Sequence, residues 1–176
     1  MTKPTAAEDT VRIERTMRAP PERVFQAFLD PDLVRQWLSP ADLTIDLVEW
    51  EGKVGGKIRV DHSRKGESTG SFQGEFLRIE PNRELVYRWA FVGTEPEKGE
   101  FFDTLVTVTL RPLPGGKTRV LIVNEKLADL RERAPQIFAQ FKGEWMKSLD
   151  LIERALQSPA NRSGNWPRSG AGKKES

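Results

Sequence analysis

His62 is the only histidine of the 176-residue chain, and the alternation Lys57-Ile58-Arg59-Val60-Asp61-His62 puts it on the strand face of Ile58 and Val60. Imidazole titrates nearest to neutrality, so a histidine facing an interior can hold a polar group of a ligand or act as a base. At a fraying strand end the same residue would instead cap a hairpin in solvent. Arg15 shares a phase with Val11, Ile13 and Met17, which directs a guanidinium toward the core side, where it needs a carboxylate or other hydrogen-bonding partner. Glu125 and Glu75 are candidate partners, in a structural ion pair or beside a ligand contact. Asn124 follows Val120 and Ile122 on one strand face and either lines the same interior or forms a turn. With Tyr87, Arg15 and His62 are the groups that could donate protons or stabilise charge in an enzyme.

Other chemistries lack their residues. Without cysteine there are no disulfides, zinc thiolates or thiol nucleophiles. One histidine with no carboxylate cluster at ligand spacing leaves no metal set, and no Gly-x-Ser-x-Gly sequence offers a serine elbow. The glycines of Gly52-Lys53-Val54-Gly55-Gly56 lack the spacing and the Lys-Ser or Lys-Thr of a phosphate loop, so they read as a hairpin connection. The formal charge of +2 is unevenly placed: residues 157–176 carry +3 and residues 1–10 carry −1, which leaves residues 11–156 at zero. A basic nucleic-acid face is therefore not demanded by the folded part. No apolar run is long enough to span a bilayer and the N-terminal residues lack a signal-peptide core, so a cytoplasmic protein with no membrane partner is expected.

The elements that must position these groups follow from periodicity. Val11–Met17 alternates as a strand, and Pro20-Pro21 leads into a helix with Val24, Phe25 and Phe28 at helical spacing. Asp30-Pro31 stops it and starts a second helix carrying Leu33, Val34 and Trp37. Strands are expected over 43–50, 57–62, 69–79, 85–92, 103–111 and 117–125, with a polar turn over 63–68. Their short connections favour antiparallel hairpins. A final helix over 135–156 carries Phe138, Phe141, Trp145, Leu149, Ile152 and Leu156 as one apolar stripe. Gly143 within it costs about 1 kcal/mol relative to Ala, which calls for a closely approaching strand or room for a ligand. Residues 1–9 and the basic segment 157–176, with Trp166, read as disordered tails.

The interior is rich in rings. Leu85, Tyr87, Trp89 and Phe91 share one face, Phe72 and Phe76 another, and Trp37 and Trp50 complete the set. Facing inward, they form either a filled core or a surface suited to a planar or lipid-like molecule.

The strand, the two proline-led helices, the Gly-Gly hairpin, the Trp-bearing strands and the final helix with Gly143-Glu144-Trp145 resemble, in that order, the START-like superfamily (SRPBCC, Bet v 1-like). Within it the chain is similar to the branch of activators of the heat-shock protein 90 ATPase, over roughly residues 10–156. The resemblance implies an α+β helix-grip fold, a curved antiparallel sheet of about six to seven strands wrapped around the last helix, with an apolar cavity between them. It implies ligand binding in that cavity, without cofactor or metal, and cavity-lining residues Arg15, Trp37, Val60, His62, Phe72, Phe76, Tyr87, Trp89, Val106, Asn124, Phe138, Phe141 and Trp145. Here Glu144 is inserted between glycine and tryptophan relative to the family's Gly-Trp pair, and Asn124 stands where similar sequences often carry His or Thr. The superfamily also holds protein-interaction modules of a co-chaperone, stress-related kind, and cyclase-like or hydratase-like enzymes. Scaffold alone does not choose among them. The expected partner is a small apolar or aromatic molecule, with a protein partner as the alternative, no nucleic acid, and a monomer or weak dimer.

Overall fold

The computed structural model describes residues 8–38 and 43–159; the expected tails, with Trp166, otherwise lie outside them. The elements run β1 (Val11–Met17), α1 (Pro21–Leu29), α2 (Pro31–Trp37), β2 (Thr44–Trp50), β3 (Lys57–Arg64), β4 (Glu67–Glu80), β5 (Glu84–Arg88), β6 (Ala90–Val92), β7 (Phe101–Phe102), β8 (Leu105–Leu113), β9 (Lys117–Glu125), α3 (Ala128–Arg133) and α4 (Pro135–Gln157). The nine strands form an antiparallel sheet ordered β1-β9-β8-β5-β4-β3-β2, with β6 and β7 branching from β4. Helix α4 packs on β1, α1, α2 and α3, giving the α+β helix-grip arrangement.

The helix pair folds as its punctuation dictates. Asp30 ends α1 and N-caps α2, its carboxylate accepting from Asp32 N at 2.9 Å. The last carbonyls of α1, orphaned by the end of the helix, are taken by three donors: Gln26 O accepts from Asp30 N, Ala27 O from the Trp37 indole and Phe28 O from the Trp50 indole, all within 2.8–2.9 Å. Two buried tryptophans thus satisfy their only polar atom while fixing α1 against α2 and β2.

Several expectations shift. The turn over 63–68 narrows to Lys65-Gly66, because β3 continues to Arg64 and β4 begins at Glu67. The strand over 85–92 is interrupted at Trp89, where its amide donates to Thr104 O (2.9 Å) and its carbonyl accepts from Thr104 Oγ1 (2.6 Å). Before the interruption β5 lies between β4 and β8; beyond it β6 lies between β4 and β7. Gly74 sits at the break, where a Cβ would lie 1.8 Å from Arg88 O, so only glycine allows this approach. Helix α3 is unexpected: of its six residues only Leu130 is buried, too little apolar pattern to announce it. Asp9, expected in the tail, pairs with Arg131 of α3 at 3.0 Å and accepts from Leu127 N through its carbonyl.

Candidate functional site

A cavity of about 410 Å³ lies between the N-terminal half of α4, the end of α2 and the inner face of β3, β4 and β6. Its volume falls within the range of small-molecule pockets. Its aromatic walls are Trp37, Phe72, Trp89, Phe91, Phe141 and Trp145, with Leu38, Leu43 and Ile137 beside them; His62, Arg64, Thr69, Gln140, Glu144 and Ser148 supply the polar atoms. Phe72 and Trp89 stack with centroids 4.3 Å apart and planes 9° off parallel. Trp37 faces Trp145 at 6.4 Å, and His62 meets Phe72 edge-on at 5.2 Å.

A buried polar chain holds two of these walls. The Trp145 indole donates to Asn124 Oδ1 at 3.2 Å, and Asn124 Nδ2 donates to Thr104 Oγ1 (3.0 Å) and Leu105 O (3.2 Å). Thr104 in turn holds the backbone of Trp89. The chain joins α4 to the sheet at the interruption between β5 and β6, and every side chain in it is at most 6% exposed. Inside a core such a network is favourable only when each member is satisfied, as here.

The expected lining residues divide accordingly. Trp37, His62, Phe72, Trp89, Phe141 and Trp145 surround the cavity. Asn124 stands behind Trp145 and orients it rather than lining the space. Val60, Phe76 and Val106 are fully buried in the core, beyond the cavity wall, and Phe138 is half-buried against the core. Tyr87 is packed among Trp50, Phe76 and Trp89, and burial pushes its phenol far above the ordinary value. Arg15 pairs with Asp150 on the C-terminal half of α4 instead of Glu125 or Glu75; Glu75 is engaged by Arg88. The three groups proposed for proton transfer, Arg15, His62 and Tyr87, therefore do not converge on one space. Gly143 lies on the solvent side of α4, and a Cβ there would meet nothing within 4 Å, so it neither admits a strand nor makes room for a ligand.

His62 is set by irregularities on both sides. Opposite β3, β2 carries a bulge between Ile45 and Leu47, and the pairing of β3 with β4 slips between His62 and Ser63. The first frees Asp46 to accept from Ser63 Oγ at 3.0 Å; the second leaves Thr69 as the extra residue beside Gly70. Gly70 has φ +109°, and a Cβ there would lie 2.3 Å from Val92 O. Bulges of this kind re-aim side chains. His62 is 5% exposed, and burial pushes its imidazole below the ordinary value, opposed by the nearby Asp61 and Asp46. Thr69 is absent from the expected lining, because it reads only as the first residue of the strand over 69–79; the adjacent Gly70 is its one sequence signal.

A second groove, of about 370 Å³, lies on the outer sheet face beside Glu49, Lys57, Arg59, Gln73 and Arg88. Arg59 and Arg88 are already paired with Asp61, Glu75 and Asp103. Among the described residues no cluster of His, Cys, Asp and Glu is arranged to hold a metal ion, and no helix is long and apolar enough to cross a membrane.

The fold recurs in solved structures. A crystal structure of a protein from Chromobacterium violaceum is 29% identical, with a TM-score of 0.71 over 86% of this chain and 99% of that one. The solution structure of an AHSA1-like protein from Aeromonas hydrophila superposes with a TM-score of 0.61 at 24% identity, over 84% of this chain and 92% of that one. DynU16, a protein in the dynemicin biosynthetic locus, is 25% identical with a TM-score of 0.61, over 85% of this chain and 48% of the other. No curated protein matches the sequence. The sequence model of the family described as Activator of Hsp90 ATPase homolog 1-like protein spans residues 18–157, from the end of β1 through the last residue of α4, and the chain belongs to that family.

Proposed function

We propose that the protein binds a small apolar or aromatic molecule in the cavity between α2, α4 and the sheet. The observation that carries this reading is the cavity itself: about 410 Å³ walled by six aromatic side chains. Apolar surface of this extent left without partner atoms forgoes both dispersion and burial energy, which a bound molecule would recover. The similarity to a protein of a biosynthetic locus accords with a small-molecule occupant. A protein-interaction role, the alternative for this family, would favour a filled interior and a contiguous apolar patch; among the described residues the exposed large apolar side chains are Leu47, Val54, Leu77, Phe101 and Met146, none of which lines the cavity.

Phe141→Trp tests the reading. If the space beside Phe141 accepts a larger ring, the variant keeps its stability within about 1 kcal/mol and loses binding of an environment-sensitive apolar dye. A close-packed interior would lose about 1–3 kcal/mol to overpacking. Destabilisation of that size, with no dye bound by the parent protein, would refute a ligand-binding cavity and shift weight to the interaction role. Native mass spectrometry of freshly purified protein reads the occupant directly.

A further inference from the structure

The polar atoms of the cavity are not scattered evenly around it. Its sheet side holds two that have no protein partner among the described residues. Thr69 Oγ1 is buried without a hydrogen bond, and His62, which also lines the cavity, engages Phe72 through its ring and makes no hydrogen bond to another described residue. They sit next to each other because the slip between β3 and β4 inserts Thr69 beside the His62–Gly70 pair. Other buried polar groups near them are satisfied: Asn124, Thr104 and the Trp145 indole bind one another, and Ser63 binds Asp46. The Tyr87 hydroxyl is also buried without a hydrogen bond, but it does not line the cavity. Unpartnered hydroxyl and imidazole groups in an apolar wall are costly unless something completes them. Directly beside them stands the Phe72–Trp89 stack, a flat wall suited to another ring.

We propose, resting on the ligand-binding reading above, that the occupant is a planar aromatic molecule carrying a hydroxyl group, its ring against the Phe72–Trp89 wall and its hydroxyl between His62 and Thr69. The His62 imidazole accepts the hydroxyl proton in a hydrogen bond, and the Thr69 hydroxyl donates to the same oxygen. A neutral hydroxyl suits this pole better than a carboxylate. At the pole itself an anion would be buried against two uncharged groups, since burial disfavours the charged form of His62, while the charged side chains at the cavity, exposed Arg64 and half-buried Glu144, are of opposite sign.

Three probes of one shape test the proposal: 2-naphthol, 2-methoxynaphthalene and naphthalene, titrated into the full chain by tryptophan fluorescence and by calorimetry, with 2-naphthoate as the charged control. The parent protein is expected to bind 2-naphthol about tenfold or more tightly than naphthalene, the scale of one completed buried hydrogen bond, with 2-methoxynaphthalene, which lacks the donor, falling short of 2-naphthol. His62→Leu should erase the preference for the hydroxyl, read as the ratio of the variant's own affinities for 2-naphthol and naphthalene. Thr69→Val, nearly isosteric, should reduce the preference several-fold, and it decides the matter if His62→Leu does not fold. Equal binding of naphthalene and 2-naphthol by the parent would overturn the hydroxyl assignment while leaving the cavity reading intact. So would an undiminished preference in Thr69→Val, or tighter binding of 2-naphthoate than of 2-naphthol. Failure of all four probes to bind would remove both readings together.

Discussion

The two halves of α4 carry one continuous apolar stripe and do opposite things with it. In the C-terminal half Leu149, Ile152 and Leu156 are wholly buried, and polar contacts pin the surrounding surface: Arg15 to Asp150, Arg18 to Glu153 at 3.2 Å, Arg23 to the Leu156 carbonyl at 2.6 Å, and Gln157 to the Arg18 carbonyl at 2.9 Å. In the N-terminal half Ile137 and Phe138 are only half-buried, while Phe141 and Trp145 look into the cavity. There the Trp145–Asn124 bond is the buried polar tie to the sheet. A stripe at helical period thus guarantees an apolar face without saying whether protein or ligand covers it.

That contrast can be broken most directly by truncation. Leu149→Ala, in the packed half, should cost about 2–5 kcal/mol in denaturant melts. Phe141→Ala removes a larger side chain but should cost less than Leu149→Ala, because one side of the ring already faces open space. The reverse order would show that both halves are equally packed. Next in size, Asn124→Ala should cost about 1–3 kcal/mol by stranding the Trp145 indole, and should loosen dye binding as well, since Trp145 loses its anchor. Gly143→Ala should raise stability by about 0.5–1 kcal/mol, since the position is helical and open to solvent; a loss would mean that the solvent face of α4 is in contact with something.

The gentlest probe is pH. The folded protein holds the His62 pKa below its ordinary value of 6.5, so between those two values the unfolded chain binds the extra proton. Stability from this group is complete above about pH 6.5 and falls as the pH drops toward the folded-state pKa. A stability–pH profile of His62→Leu should lack this component, and an unchanged profile would place the imidazole in solvent.

The sequence made the scaffold readable because its signals are local. Pro20-Pro21, Asp30-Pro31 and the alternation through Ile58, Val60 and His62 each depend on near neighbours, and the corresponding elements stand where expected. Much of the site depends on register, which is not local. Arg15 found its carboxylate on α4 because that helix packs on β1, and no strand phase could disclose that. Asn124 shares a face with the cavity yet stands one layer behind it, because Trp145 comes between. Thr69 owes its position to a bulge that has no periodic signature. Trp89 was legible as inward-facing, but the interruption that places it between two halves of the sheet required Thr104 and Gly74 to come together.

The tryptophan cluster gives the molecule a built-in optical gauge. Trp37, Trp50, Trp89 and Trp145 lie in one chain of ring contacts, with successive centroids 6.1–6.4 Å apart. At such separations excitation energy migrates among indoles before emission, so light absorbed anywhere in the cluster can be emitted, or lost, at any member. Three of the four also line the cavity. A molecule stacked on Trp89 would therefore quench emission from rings it never touches, and filling the cavity would alter the coupled near-ultraviolet dichroism of the set as a whole.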